Sequence, residues 1–165
     1  MNITFQGNPV TLLGKQLQVQ DTLPDFTIVG NDLGAIRKAD TKGVRIFLTV
    51  PSLDTGVCSM EVAKFMEYIK DKKEVSCYAV SMDLPFALDR WCQSKGNDRV
   101  VTASDYQTKS FAEATGTFLK ELCLLTRAVF VVDANDVVQH VEYVSEIKNE
   151  PNYDAVLEVV EKLTK

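Results

Sequence analysis

At 165 residues, 45% hydrophobic and 25% charged, the chain has the size and composition of one domain with a sizeable core, and no stretch is dominated by Pro, Gly, Ser or one charge sign. A formal net charge of −5, with no basic run longer than the pair Lys72 and Lys73, excludes the electrostatic footprint of a nucleic-acid or anionic-membrane binder. The start MNITFQGNPV has neither a basic lead nor a long apolar block, and no apolar run approaches membrane-spanning length, so a cytoplasmic protein is expected.

In chain order, NITFQGNPVTLL alternates Ile3 and Phe5, then Val10 and Leu12, about a Gly7-Asn8 turn signal, which predicts an N-terminal β-hairpin. After DTLPDFTIV comes the turn-like GNDLG and a solvated stretch ending at Gly43. Val44 to Val50 is the strongest strand signal, apolar and β-branched except at Arg45. Val62, Phe65, Met66 and Ile69 then fall on one face of an amphipathic helix, with Lys70, Lys72 and Lys73 suited to its C-terminal end.

EVSCYAVS is a second strand, and DLPFALDRWCQSKG a helix with Asp83 as candidate cap, Pro85 in the first turn and Gly96 as the stop. RVVTAS is a short third strand, and Asp105 to Phe118 is helical or looped. RAVFVVD and VVQHVEYV form an antiparallel hairpin across ANDV, and the closing helix carries Val156, Val159, Val160 and Leu163 on one face. Strand-helix-strand first and strand-strand-helix last predicts a single α/β domain over 1–165. Its layout is thioredoxin-like: a mixed central sheet, helices on both faces and the hairpin added at the N-terminus.

The four cysteines, Cys58, Cys77, Cys92 and Cys123, lie 19, 15 and 31 residues apart. That spacing matches no zinc pattern, which needs close ligand pairs, and a permanent staple does not suit a reducing cytoplasm. Inert burial and transient redox chemistry remain. Cys58 stands where a strand hands over to a helix, in PSLDTGVC. An ordinary thiol is only about 3% ionised at pH 7, and the first turn of a helix stabilises an anion through free N–H groups and the positive end of the dipole.

A larger thiolate fraction is not sufficient, because lowering a thiol pKa by about 2.5 makes each thiolate roughly 10-fold less nucleophilic. A fast cysteine enzyme therefore needs donors already aimed at the charge that develops. Thr55, three positions before Cys58, is close enough for its hydroxyl to reach the sulfur or a bound oxygen. Arg127 heads the buried strand AVFVV, where its charge needs a partner and its guanidinium offers a rigid fork of donors. Pro51 restricts the loop and shields the sulfur.

These residues carry a resemblance. PSLDTGVC resembles the P-x-x-x-T-x-x-C active-site motif of peroxiredoxins, with Pro51, Thr55 and Cys58 in register, and Arg127 matches that family's active-site arginine. The closer likeness is to its bacterial atypical 2-Cys thiol peroxidases, and it extends through VTLLGKQLQVQDTLPDF, SMDLPFALDRWC, RAVFVVDANDVV and EPNYDAVLEVV. The resemblance implies that Cys58 attacks a hydroperoxide, becomes a sulfenic acid and condenses with Cys92, 34 positions on, before thioredoxin reduces the disulfide. It also implies a homodimer and no metal, flavin or heme. The late helical position of Cys92, where the dipole disfavours a thiolate, suits a resolving cysteine better than an attacking one.

Plainer readings stand beside these. A cysteine is more often a small buried hydrophobe than a nucleophile, and that reading is kept for Cys77 and Cys123; Cys92, beside Trp91 on a helix, is open on pattern alone. Arg127 could be a surface ion pair, and Thr55 a simple cap. His140 is expected exposed or half-buried on its strand, which weakens a Cys-His hydrolase. The absence of C-x-x-C disfavours a disulfide reductase, and a non-catalytic redox sensor using the same disulfide is the alternative function.

Overall fold

The computed structural model describes residues 1–165. The chain opens on a hairpin, β1 (Ile3–Phe5) and β2 (Asn8–Val10), followed by β3 (Leu12–Leu13). Gln6 and Gly7 make the hairpin turn with φ of 53° and 79°, a conformation that costs glycine nothing. Next come β4 (Thr27–Gly30), β5 (Ala35–Arg37), β6 (Val44–Thr49), α1 (Gly56–Ile69), β7 (Val75–Ser81), α2 (Pro85–Lys95) and β8 (Val100–Ser104). The last third holds α3 (Ser110–Thr115), β9 (Phe118–Leu119), β10 (Leu124–Leu125), β11 (Ala128–Val132), β12 (Val138–Tyr143) and α4 (Tyr153–Leu163).

Seven strands form the central sheet in the order β12-β11-β6-β7-β8-β4-β5. β6, β7 and β8 run parallel, and every other pairing in it is antiparallel. The fold is thus the expected thioredoxin-like α/β arrangement with a mixed sheet and an added hairpin.

Two consecutive crossovers, β6 to β7 through α1 and β7 to β8 through α2, advance in one direction along the sheet. Both are right-handed by the usual chirality of such connections, so both helices lie on the same face. On that face Val62 and Phe65 of α1, Leu88 and Trp91 of α2, and Val156 and Val160 of α4 pack with Ile46, Leu48, Val129 and Val131 of the sheet. The opposite face carries α3 and an aromatic group: Phe26 meets Phe111 edge-on at 4.9 Å, and Phe47 stacks on Tyr78 at 5.2 Å. Helices do occupy both faces, three on one and the short α3 on the other.

Arg45, the exception in its strand, is fully buried, and its charge is answered by Asp136 at 2.7 Å and by the backbone carbonyls of Thr41, Gly43 and Asp133. Three details differ from the sequence reading. The stretch before Gly43 contains an edge strand, β5, which pairs with β4. The region from Asp105 to Phe118 resolves into α3 and the start of a three-stranded sheet of β10, β9 and β3. Asp83 does not cap α2, whose N-cap is Leu84 with no side-chain bond; its carboxylate is turned toward the loop after β6 instead.

Candidate active site

Helix α1 begins one turn after β6, with Thr55 at the N-cap in extended conformation (φ −117°, ψ 151°). Its first backbone bond runs from Ser59 N to Thr55 O at 3.0 Å, so Cys58 lies in the first turn, where helix amides have no intrahelical acceptor. The side chain faces inward, and Cys58 is fully buried among Val50, Leu53 and Val62.

The sulfur meets one charged donor. Arg127 Nη2 donates to Cys58 Sγ at 3.0 Å, Nη1 to Glu61 Oε2 at 2.8 Å, and Nε to the carbonyl of Ile147 at 2.7 Å. The planar fork is therefore held on two sides and presents its third edge to the sulfur, an orientation that a flexible ammonium could not keep. Arg127 is 2% exposed, which replaces the surface ion pair with a buried one.

Glu61 was not anticipated. It is fully buried, and burial pushes its carboxyl up to about 7 against the pull of the Arg127 guanidinium. Its other oxygen, Oε1, is buried with no hydrogen-bond partner. The signal was present: Glu61 follows Cys58 by three positions, one helical turn, and so shares the inward face with it.

The loop before the helix is held by side chains whose role the sequence did not disclose. Asp83 accepts from Ser52 Oγ at 2.7 Å, Leu53 N at 2.8 Å and Ser81 Oγ at 2.9 Å. One carboxylate thus joins the loop before α1 to the entry of α2. Pro51 is buried at the start of this loop, where a fixed φ suits a chain leaving a strand.

The Thr55 hydroxyl does not reach the sulfur. It donates to the carbonyl of Ser52 at 3.0 Å and makes no capping bond, which corrects the expected contact with the sulfur and the plainer reading as a cap. Closing the local turn takes up its proton and leaves its lone pairs free.

Cys92 lies in the second half of α2, nine per cent exposed, on the same sheet face as Cys58. The helix ends at Gly96 in left-handed conformation (φ 62°), with Asn97 N donating to Cys92 O at 2.9 Å. The neighbours of the two cysteines also touch, Trp91 Nε1 donating to Ser59 Oγ at 2.9 Å. All four cysteines are free.

The remaining candidates separate. Cys77 is buried in β7, and burial pushes its thiol far up, with the Glu61 charge adding to the effect. That is the inert packing role expected of it. Cys123 corrects the sequence reading: it is exposed, in the turn between β9 and β10, with φ 54° and its amide donating to Leu119 O at 2.8 Å. The turn of ELCLL runs up to Cys123, and only Leu124 and Leu125 enter a strand, β10, with Leu125 buried. His140 is half-buried on β12, as expected, away from every cysteine bond described above.

Chemically, a buried sulfur at a helix N-terminus, facing a fixed guanidinium, is arranged for nucleophilic attack with charge stabilised as it forms. Residues 18–157 match the family model described as Redoxin. The chain is 48% identical over 162 residues to a thiol peroxidase of Oceanobacillus iheyensis, covering 98% of this chain and 99% of that one. It is 48% identical over 164 residues to a thiol peroxidase of Bacillus subtilis, covering 99% and 98%. A crystal structure of a peroxiredoxin-like protein from Aquifex aeolicus superposes with a TM-score of 0.92 at 39% identity, covering 98% of this chain and 96% of that one.

Proposed function

We propose, for a chain that belongs to the Redoxin family and is a thiol-dependent peroxidase of the peroxiredoxin type, a cycle carried by Cys58 and Cys92. The Cys58 thiolate attacks the terminal oxygen of a hydroperoxide; the S–O bond forms as the O–O bond breaks, leaving a sulfenic acid and a hydroxide or alkoxide, which takes a proton from solvent and departs as water or an alcohol. Arg127 stabilises the charge shared by sulfur and the departing oxygen, with Glu61 and Ile147 holding its fork. Thr55, whose hydroxyl proton goes to the Ser52 carbonyl, accepts a hydrogen bond from the incoming hydroperoxide in this cycle, and Pro51 keeps bulk water from the sulfur. Cys92 then displaces the hydroxyl from Cys58, and a dithiol of the thioredoxin type reduces the disulfide. The reading includes one domain, a cytoplasmic setting and a homodimer. The chain has no helix long and apolar enough to cross a membrane.

The observation that carries this reading is the 3.0 Å bond from Arg127 Nη2 to the buried Cys58 sulfur. The direct test is a peroxidase assay coupled to thioredoxin with several hydroperoxides. Sustained turnover is expected, and a failure of thioredoxin to support it would remove that reductant.

Arg127→Lys keeps a positive charge but loses the two-sided anchoring of the fork. The second-order rate of peroxide reduction is expected to fall by about 100-fold, the usual loss of one fixed donor. Stopped-flow mixing with hydrogen peroxide measures it; an unchanged rate would take Arg127 out of the site.

The two sulfurs belong to opposite parts of the sheet. Cys92 Sγ contacts Thr102 on β8, and Cys58 Sγ contacts Arg127 at the head of β11. Those strands are three positions apart, about 14 Å at the usual spacing, whereas a disulfide needs Cα atoms within about 7 Å. Disulfide formation is therefore expected to unwind the first turn of α1, the second half of α2, or both. Amide exchange should rise at residues 56–62 and 88–96 on oxidation; identical protection in the two redox states would count against the movement.

A further inference from the structure

Cys92 is buried in an apolar layer, yet its sulfur is surrounded by polar side chains from three separate segments. Asn31 Nδ2, from the connection between β4 and β5, lies 3.5 Å from the sulfur, and Asn97 Nδ2, just past α2, lies 3.3 Å from it. Thr102 Oγ1, on β8, lies at 3.2 Å. The direction of that last bond follows from its neighbours. Thr102 gives its one hydroxyl proton to Asn31 Oδ1 at 2.8 Å, so it has only lone pairs left for Cys92, and the thiol is the donor. Two amides therefore occupy the sulfur's lone pairs, and Thr102 holds its proton.

The ring is itself anchored. Asn97 Nδ2 donates also to Val100 O at 2.7 Å, and its Oδ1 accepts from Val100 N at 3.0 Å. Asn31 and Thr102 stand on the β4 and β8 side of Cys92, which the strand order places away from β11 and Arg127. To join Cys58, the sulfur must give up its proton and turn a free lone pair the other way.

We propose that Asn31, Asn97 and Thr102 are positioning residues that hold Cys92 in a parked, unreactive state, so that opening this ring sets how the Cys58 sulfenic acid divides between disulfide and overoxidation. The inference rests on Cys92 being the resolving cysteine. In the productive branch the S–S bond forms as the Cys58 S–OH bond breaks, and the hydroxyl leaves as water with the Cys92 proton. In the competing branch a second hydroperoxide transfers one oxygen to the sulfenic acid, giving a sulfinic acid and water or an alcohol. A tighter ring slows the first branch and leaves the second untouched.

The test uses Asn31→Ala and Thr102→Val, with Thr102→Ser as the conservative variant that keeps the hydroxyl. After a peroxide pulse, the fluorescence of Trp91, the one tryptophan of the chain, follows the two phases, and mass spectrometry counts disulfide and sulfinic acid. Asn31→Ala and Thr102→Val should leave the first, peroxide-dependent phase unchanged and speed disulfide formation about fivefold each, the usual net worth of one hydrogen bond. The peroxide dose that overoxidises half of Cys58 should rise by the same factor, and Thr102→Ser should behave as the parent. An unchanged or slower second phase overturns the proposal, as does acceleration by Thr102→Ser equal to that by Thr102→Val. A Cys92→Ser protein that still forms an intramolecular disulfide would instead remove Cys92 as the resolving cysteine.

Discussion

Cys58→Ser is expected to abolish rapid peroxide consumption completely, with no residual slow turnover above the uncatalysed reaction. A serine hydroxyl is not appreciably ionised at neutral pH, so the guanidinium that faces position 58 at 3.0 Å would have no anion to steer. Oxygen also cannot carry the sulfenic acid that the second half-reaction consumes. The fold should survive, because the change is nearly isosteric and leaves Arg127 bonded to Glu61 and Ile147. Peroxide loss measured in a single turnover, beside a melting curve, separates lost chemistry from lost structure. A folded Cys58→Ser protein that still consumed peroxide would move the nucleophile elsewhere.

Cys92→Ser is expected to fail at the other half of the cycle. It should consume about one equivalent of peroxide as rapidly as the parent, because the Cys58, Arg127 and Glu61 constellation does not include position 92. Turnover with thioredoxin should then stop, since the sulfenic acid has no partner and proceeds toward the sulfinic state. The controls follow from burial. Cys123→Ser changes an exposed turn residue and should leave both turnover and stability as they were. Cys77→Ser should turn over normally but lose about 1–3 kcal/mol of stability, the cost of an unpaired hydroxyl in the core. Mass spectrometry after one peroxide pulse distinguishes the variants, and a parental disulfide joining any pair other than Cys58 and Cys92 would sink the assignment.

Much of this arrangement was legible without coordinates because it is local. The alternation of Ile3 and Phe5, the apolar run after Gly43 and the spacing of Val62, Phe65, Met66 and Ile69 each report a backbone period, and each became the predicted element. The handover from β6 to α1 lies within ten residues, so the place of Cys58 in a first helical turn could be read from the letters around it. Asp83 and Cys123 show the limit of such reading. An acid before a proline looks like a cap until a loop 30 residues earlier offers Leu53 N, and a cysteine among leucines looks buried until its backbone turns left-handed.

By itself the sequence determined the order and type of the main elements, the mixed sheet, and a cysteine at a helix start with an arginine at a strand head. Only the tertiary structure decided what those two residues meet. It set the Arg127 fork between Glu61, Ile147 and the Cys58 sulfur, turned Asp83 toward the loop before α1, and gathered Asn31, Asn97 and Thr102 around Cys92. The physical reason is range. Periodicity and turn chemistry act over a few residues and are written in adjacent letters. The distant partners of a buried charge or sulfur are chosen by the sheet order and the handedness of the crossovers, which bring Asn31 to Cys92, and Arg127 to Glu61 and Cys58, across 61 to 69 positions of chain.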